Sequence, residues 1–176
     1  MHKVILAIAA ALVALLSATA FAASPDQNDV MTAVQKFADG FNSGDMNAAV
    51  SVCAPQAIII DDTPPHAWQG ATSCASWWTA QLAHSKAIGI SHEALMLGQP
   101  RHVDVTADRA YVVVPATLHY TANGQSFTET GDVWIFAMQK FASGWRIVGW
   151  AWEQPEDKET PPDQPAAFPH PQPPSS

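Results

Sequence analysis

Basic residues are scarce in this chain. Eight Lys and Arg stand against sixteen Asp and Glu, a net charge of −8 over 176 residues. Nucleic-acid backbones and anionic membranes are bound through clustered Lys and Arg, so both are excluded as partners of the mature chain. Cysteine is nearly absent, with only Cys53 and Cys74. They have no Cys-x-x-Cys spacing, which argues against a zinc or redox site. The sequence holds no glycine-rich phosphate loop, no nucleophile elbow, no complete Ser-His-Asp set and no internal repeat. No cofactor or metal is implied. One apolar run stands out, at the start, and it is too short to span a bilayer.

That run has the layout of an export signal. Lys3 supplies a short positive segment, Val4 to Leu16 the apolar segment, and Ala20-Phe21-Ala22 a small-x-small cleavage site. The expected mature chain begins near Ala23 and works in the periplasm or outside the cell. Loss of Lys3 leaves seven basic residues against sixteen acids, a net charge of −9. Residues 23–154 are enough for one domain with a proper core. In an oxidising compartment an even cysteine count favours a Cys53–Cys74 disulfide. The alternative is two buried thiols. Residues 155–176 hold eight of the fourteen prolines. Such a segment buries too little apolar surface to offset its ordering entropy, and it reads as a disordered tail.

Val30, Val34, Phe37 and Phe41 recur at helical spacing on one face. Asn42-Ser43-Gly44 ends that helix, and Asp45 caps a second, short one. The second helix is expected to bury Met46, Ala49, Val50 and Cys53 and to stop at Pro55. Ala57 to Ile60 reads as a strand that runs into Asp61 and Asp62. A third helix beginning near Thr72 or Ser73 presents Cys74, Trp77, Trp78 and Leu82. Adjacent on a helix, Trp77 and Trp78 are not expected to be buried fully together.

Strands follow at Ile90–Leu97, Arg101–Val105 and Arg109–Ala122. Asn123-Gly124 then marks a two-residue hairpin turn that pairs Ala122 with Gln125. Carried along without interruption, this register puts Val112, Val114, Ala116, Leu118, Phe127, Val133 and Ile135 on the more apolar face. Thr117, His119, Thr128, Thr130, Asp132, Trp134 and Phe136 fall on the other, so Asp132 points outward. A turn at Ala142-Ser143-Gly144 leads into the last strand, ending at Glu153.

Helices followed by a long antiparallel sheet, with Gly44-Asp45 between the first two helices, resemble the nuclear transport factor two-like fold. The ending Ser143-Gly144-Trp145-Arg146-Ile147-Val148-Gly149-Trp150 is similar to the Gly-x-Trp-x-Ile close of such domains, which include the SnoaL-like cyclases and the ketosteroid isomerases. The resemblance implies an α+β, cystatin-like cone of three N-terminal helices packed on a strongly curved antiparallel sheet. Laid on the ketosteroid isomerase pattern from Gln35 to Gly70, the chain puts Asp61 on the general-base aspartate. It puts Phe37, which has no donor, on the oxyanion-hole tyrosine. Asp132 is the acid nearest the oxyanion-hole aspartic acid.

Asp61 thus has two readings, a general base in a cavity or a strand-end cap of its own loop. Asp62 reads as a solvated turn residue. His66 lies four residues beyond Asp62 without a third metal ligand, and His92, His102 and His119 lie on strands. The expected pocket is apolar and aromatic, lined by Phe37, Phe41, Trp77, Trp78 and Trp134. Three functions fit these features. The chain is a binder of a small apolar molecule, or a cofactor-free isomerase, cyclase or dehydratase, or a module that forms a homodimer through its sheet. The first is preferred, because the oxyanion donors of the isomerase pattern are not all present.

Overall fold

A computed structural model describes residues 23–154. The expected signal segment and the proline-rich tail lie outside the described residues.

The first helix, α1 (Pro25–Ser43), starts on a capping box. Ser24 Oγ accepts from the Gln27 amide, and the Gln27 side chain accepts from the Ser24 amide. Pro25 fits the first turn, where no intrahelical donor is lost. Gly44, at φ 69°, closes the helix in the left-handed conformation. Asp45 then caps α2 (Met46–Val50) by accepting from the Ala48 amide at 3.0 Å. The two helices meet closely at Gly40, where a Cβ would lie 2.6 Å from the Ala49 nitrogen.

The second helix is shorter than its sequence suggests. Cys53 and Pro55 belong to strand β1 (Cys53–Ile60), and Met46 is exposed. After β2 (Ala67–Trp68) comes α3 (Ser73–Ala87), so two strands precede the third helix. The Cys53–Cys74 disulfide is present, with the Cα atoms 6.6 Å apart. It joins β1 to α3 rather than helix to helix.

Five further strands complete the sheet: β3 (Ile90–Leu97), β4 (His102–Thr106), β5 (Arg109–Ala122), β6 (Gln125–Phe141) and β7 (Gly144–Glu153). The order is β2-β1-β7-β6-β5-β3, with β4 also on β5. The sheet is mixed rather than wholly antiparallel, because β1 runs parallel to β7.

β3 and β4 share one edge of β5, pairing with its second and first halves respectively. Between them, Gly98 donates to the Pro115 carbonyl and Arg101 to the Val113 carbonyl. Pro115 therefore faces the break between two partners, where its missing N–H costs no ladder bond.

The hairpin register holds from Ala122–Gln125 back to Thr117–Thr130 and then shifts. Gly131, at φ 90°, is an extra residue, and the pairing resumes at Ala116–Asp132. A one-residue bulge exchanges the faces of everything beyond it. Asp132, Trp134 and Phe136 therefore turn inward with Val112, Val114 and Ala116. Val133 and Ile135 go to the other face. Asp132 is fully buried, opposite to the outward placement the uninterrupted register implies.

The core lies between this inner face and the helices. Val30, Val34 and Phe37 from α1 meet Val112, Val114, Trp134, Phe136, Met138, Ile147 and Trp150. Asn42 ties α1 to β3, donating to the Leu95 carbonyl at 2.8 Å and accepting from its amide at 2.7 Å. Trp77 and Trp78 are both buried, whereas Leu82 is 55% exposed. The helix packs against β1, β2, β3 and α2. Trp78 packs edge-on against Phe41 while Trp77 meets Trp150, so two neighbouring directions on α3 are covered.

Candidate functional site

Alternation along β1 decides what enters the wide end of the fold. Ile59 pairs with Trp150, and Ile60 with Ala151. Ile59 is buried and Ile60 exposed, so the next residue, Asp61, points inward again. Trp150 and Trp152 share the inner face of β7, and Trp134 stands beside Trp152 on β6. Phe41 and Trp77 close the helix side. These elements enclose a cavity of about 600 Å³.

Its walls are aromatic and stiff. Trp77 and Trp150 meet at 87° with centroids 4.7 Å apart. Trp134 stands nearly perpendicular to Trp150 and to Trp152, each at 5.4 Å. Edge-to-face contacts of this kind are favourable beyond the area they bury. Phe37 packs behind Trp134 and Trp77 and is fully buried, without lining the cavity. Trp78 likewise stays in the core. Of the five aromatics expected to line the pocket, Phe41, Trp77 and Trp134 do so and Phe37 and Trp78 do not.

The polar groups gather at the mouth. Asp61 is 8% exposed, and its Oδ1 accepts from the Thr63 amide at 2.8 Å. Its amide donates to the His66 carbonyl, and His66 Nδ1 lies 3.2 Å from the Asp61 carbonyl. One oxygen of Asp61 therefore caps the loop while the residue also lines the cavity. Asp62 lines it too. Its carboxyl hydrogen-bonds to that of Asp61 and is pushed up to about 7. The causes are loss of solvent, the Asp61 charge and its hydrogen bond, and the Glu129 charge. The residue as a whole is exposed, so this is the desolvation of a cavity rim and not of a core. Asp62 therefore holds its proton to a much higher pH than an ordinary carboxyl.

A hydrogen-bonded chain runs from this loop into the cavity wall. Thr63 Oγ1 donates to Gln81 Oε1. Gln81 Nε2 donates to Glu93 Oε1 at 3.1 Å and to Ser85 Oγ at 3.3 Å. Burial raises the Glu93 pKa, and the bonds from Ser85 and Gln81 oppose the rise. On the sheet side, Gln154 Nε2 donates to Glu129 Oε1 at 2.6 Å. Tyr120 is pushed up by burial and by the charges of Glu129 and Asp132. Asp132 is buried on the same face but does not line the cavity.

Several of these groups were not evident as site residues. Asp62 read as solvated and His66 as loop, and Gln81, His84, Glu93, Tyr120, Glu129, Trp150 and Trp152 carried no motif. The alternation of β1 and β7 was the available signal for Trp150 and Trp152. His92, His102 and His119 do not line the cavity.

A SnoaL-like domain family model matches residues 34–149. The chain belongs to that family. Solved structures share its fold at low identity. A ketosteroid isomerase-like protein from Erwinia carotovora atroseptica is 16% identical, with a TM-score of 0.60 over 74% of this chain and 96% of that one. A cystatin-like-fold protein of the NTF2-like group from Novosphingobium aromaticivorans is also 16% identical, at a TM-score of 0.62 over 76% and 84%. An NTF2-like superfamily protein from Salmonella enterica serovar Typhimurium gives 16% and 0.62 over 78% and 96%. At such identities the likeness is one of fold. No curated protein matches the sequence. The SnoaL-like domain is thus a cystatin-like, mixed α+β fold around an aromatic cavity with an acidic mouth.

Proposed function

We propose that this SnoaL-like domain, exported from the cytoplasm, binds a small molecule with an apolar body in its cavity. The observation that carries the reading is the wall of Trp77, Trp134, Trp150 and Trp152 around about 600 Å³ of space, a size and lining suited to a small ligand. The Cys53–Cys74 disulfide supports export, since such bonds persist in oxidising compartments. The test uses N-phenyl-1-naphthylamine, an uncharged apolar fluorophore. One saturable site per chain is expected, with energy transfer from tryptophan, and Leu118→Trp, which fills the cavity, should abolish it. Absence of saturable binding to the unaltered protein contradicts the reading.

A second reading, proton-transfer catalysis, is favoured by the Asp61–Asp62 pair. A carboxyl near pKa 7 beside a second carboxyl is matched to giving and taking protons at neutral pH. Asp61 is the base of this reading, and Asp132 acts on the rim through Tyr120. The chemistry would be an isomerisation, cyclisation or dehydration. Asp61→Asn should then abolish turnover with binding retained; unchanged turnover contradicts it.

The outer sheet face leaves Ile58, Ile60, Met96 and Tyr111 exposed, which supports self-association of the chain through this face. Sedimentation of the purified protein, with Ile60→Lys as the disrupting variant, tests it: a monomer before substitution contradicts the association.

A further inference from the structure

The cavity carries an electrostatic sign that its apolar walls do not explain. Four carboxyl groups line it, those of Asp61, Asp62, Glu93 and Glu129, and no Lys or Arg of the described residues does. Acids come from three directions: the β1–β2 loop, β3 and β6. A cavity built only for a neutral apolar molecule gains nothing from four carboxyl groups, each of which costs desolvation when a ligand covers it.

The rings add a second, independent preference. The indole nitrogens of Trp77, Trp134 and Trp150 are buried and have no hydrogen-bond partner. They are closed off from the free space of the cavity, so these side chains offer a ligand carbon surface rather than N–H donors. The face of an indole is the negative end of its quadrupole and attracts a cation more strongly than other aromatic faces do. The aromatic wall and the carboxylates thus favour the same charge on a ligand.

We propose that the ligand of this cavity is an organic cation, an amine or quaternary ammonium group on an apolar body, held between the tryptophan wall and the acids of the mouth. The proposal rests on the reading that the cavity is a binding site and names the chemical class it takes. A quaternary ammonium suits it best. It has no N–H to satisfy and is weakly hydrated, so it loses little on entering an aromatic site.

Proton linkage follows. Asp62 keeps its proton to about pH 7. Asp61 and Glu129 oppose its ionisation; Glu93, His66, His84 and Tyr120 are the other titratable groups lining the cavity. A bound cation favours the ionised form, so binding should release a proton, and affinity should rise with pH through about 7 and level off above it.

Three probes of nearly one shape separate the possibilities by tryptophan fluorescence titration. They are benzyltrimethylammonium, its uncharged carbon isostere neopentylbenzene, and benzenesulfonate. The cation is expected to bind about tenfold or more tightly than the isostere, and the sulfonate most weakly. Asp62→Asn should flatten the pH dependence, and Glu93→Gln should reduce the preference for the cation. Equal or tighter binding of the isostere or the sulfonate to the unaltered protein overturns the proposal while leaving a binding cavity in place. No saturable response to any of the three overturns both the proposal and the binding reading.

Discussion

The carboxyl of Asp62 hydrogen-bonds to that of Asp61, its neighbour in the chain, at the mouth of an aromatic cavity. Consecutive strand residues point to opposite faces. These two meet because the strand has already ended at Ile60 and the loop turns back, its shape fixed by the Thr63 amide on Asp61 Oδ1. The loop that caps the strand therefore also assembles an acid pair.

That pair makes stability depend on pH in a direction opposite to an ordinary paired carboxylate. Asp62 rises from 3.8 to about 7 on folding, so between those values the folded state holds a proton that the unfolded state has released. Stability should fall as pH rises across that window and flatten above about 7. Denaturant midpoints measured across it are the check. Asp62→Asn should remove most of the slope; an unchanged slope would place the proton elsewhere.

Cys53 and Cys74 are 21 positions apart, and closing a loop of that length in the unfolded chain contributes about 3 kcal/mol. Reduction, or Cys53→Ala with Cys74→Ala, should lower unfolding stability by about that amount in urea melts. The reduced chain should keep its far-ultraviolet circular dichroism, since the helix and strand ladders do not depend on the bridge. A stability equal to that of the oxidised protein would refute the estimate.

Gly131 occupies a left-handed position at the bulge. Gly131→Val should cost about 1–3 kcal/mol from backbone strain alone. A second effect is expected if the bulge is lost, because Asp132, Trp134 and Phe136 would then face outward. Near-ultraviolet circular dichroism would weaken with the tryptophan packing. Retention of both stability and that signal would show that the inner face does not depend on the bulge.

This bulge also marks where sequence reading stops. The Asn123-Gly124 turn fixes pairing at the tip of the hairpin, and periodicity identifies Val112 and Val114 as core. A single glycine within a strand is compatible with an uninterrupted register as well as with a bulge, and the choice decides the face of Asp132. Helix spacing placed Val30, Val34 and Phe37 correctly, since an amphipathic stripe faces one core. It failed for Leu82, which is exposed, and the expectation that Trp77 and Trp78 are not both buried failed because α3 is covered from two directions. Asp61 could be found from strand alternation and the family resemblance. Asp62, Glu93 and Glu129 could not, since their convergence depends on a turn, a bulged strand and a long hairpin that meet only in the fold.

Whether the cavity holds a small organic ligand is tested by native mass spectrometry of the protein isolated from its own cells without denaturation. A fraction should carry one non-covalent adduct, lost on gentle activation and absent from the Leu118→Trp variant isolated in the same way. Only the bare mass, together with no change in tryptophan fluorescence when the protein is exposed to a small-molecule extract of those cells, would contradict it.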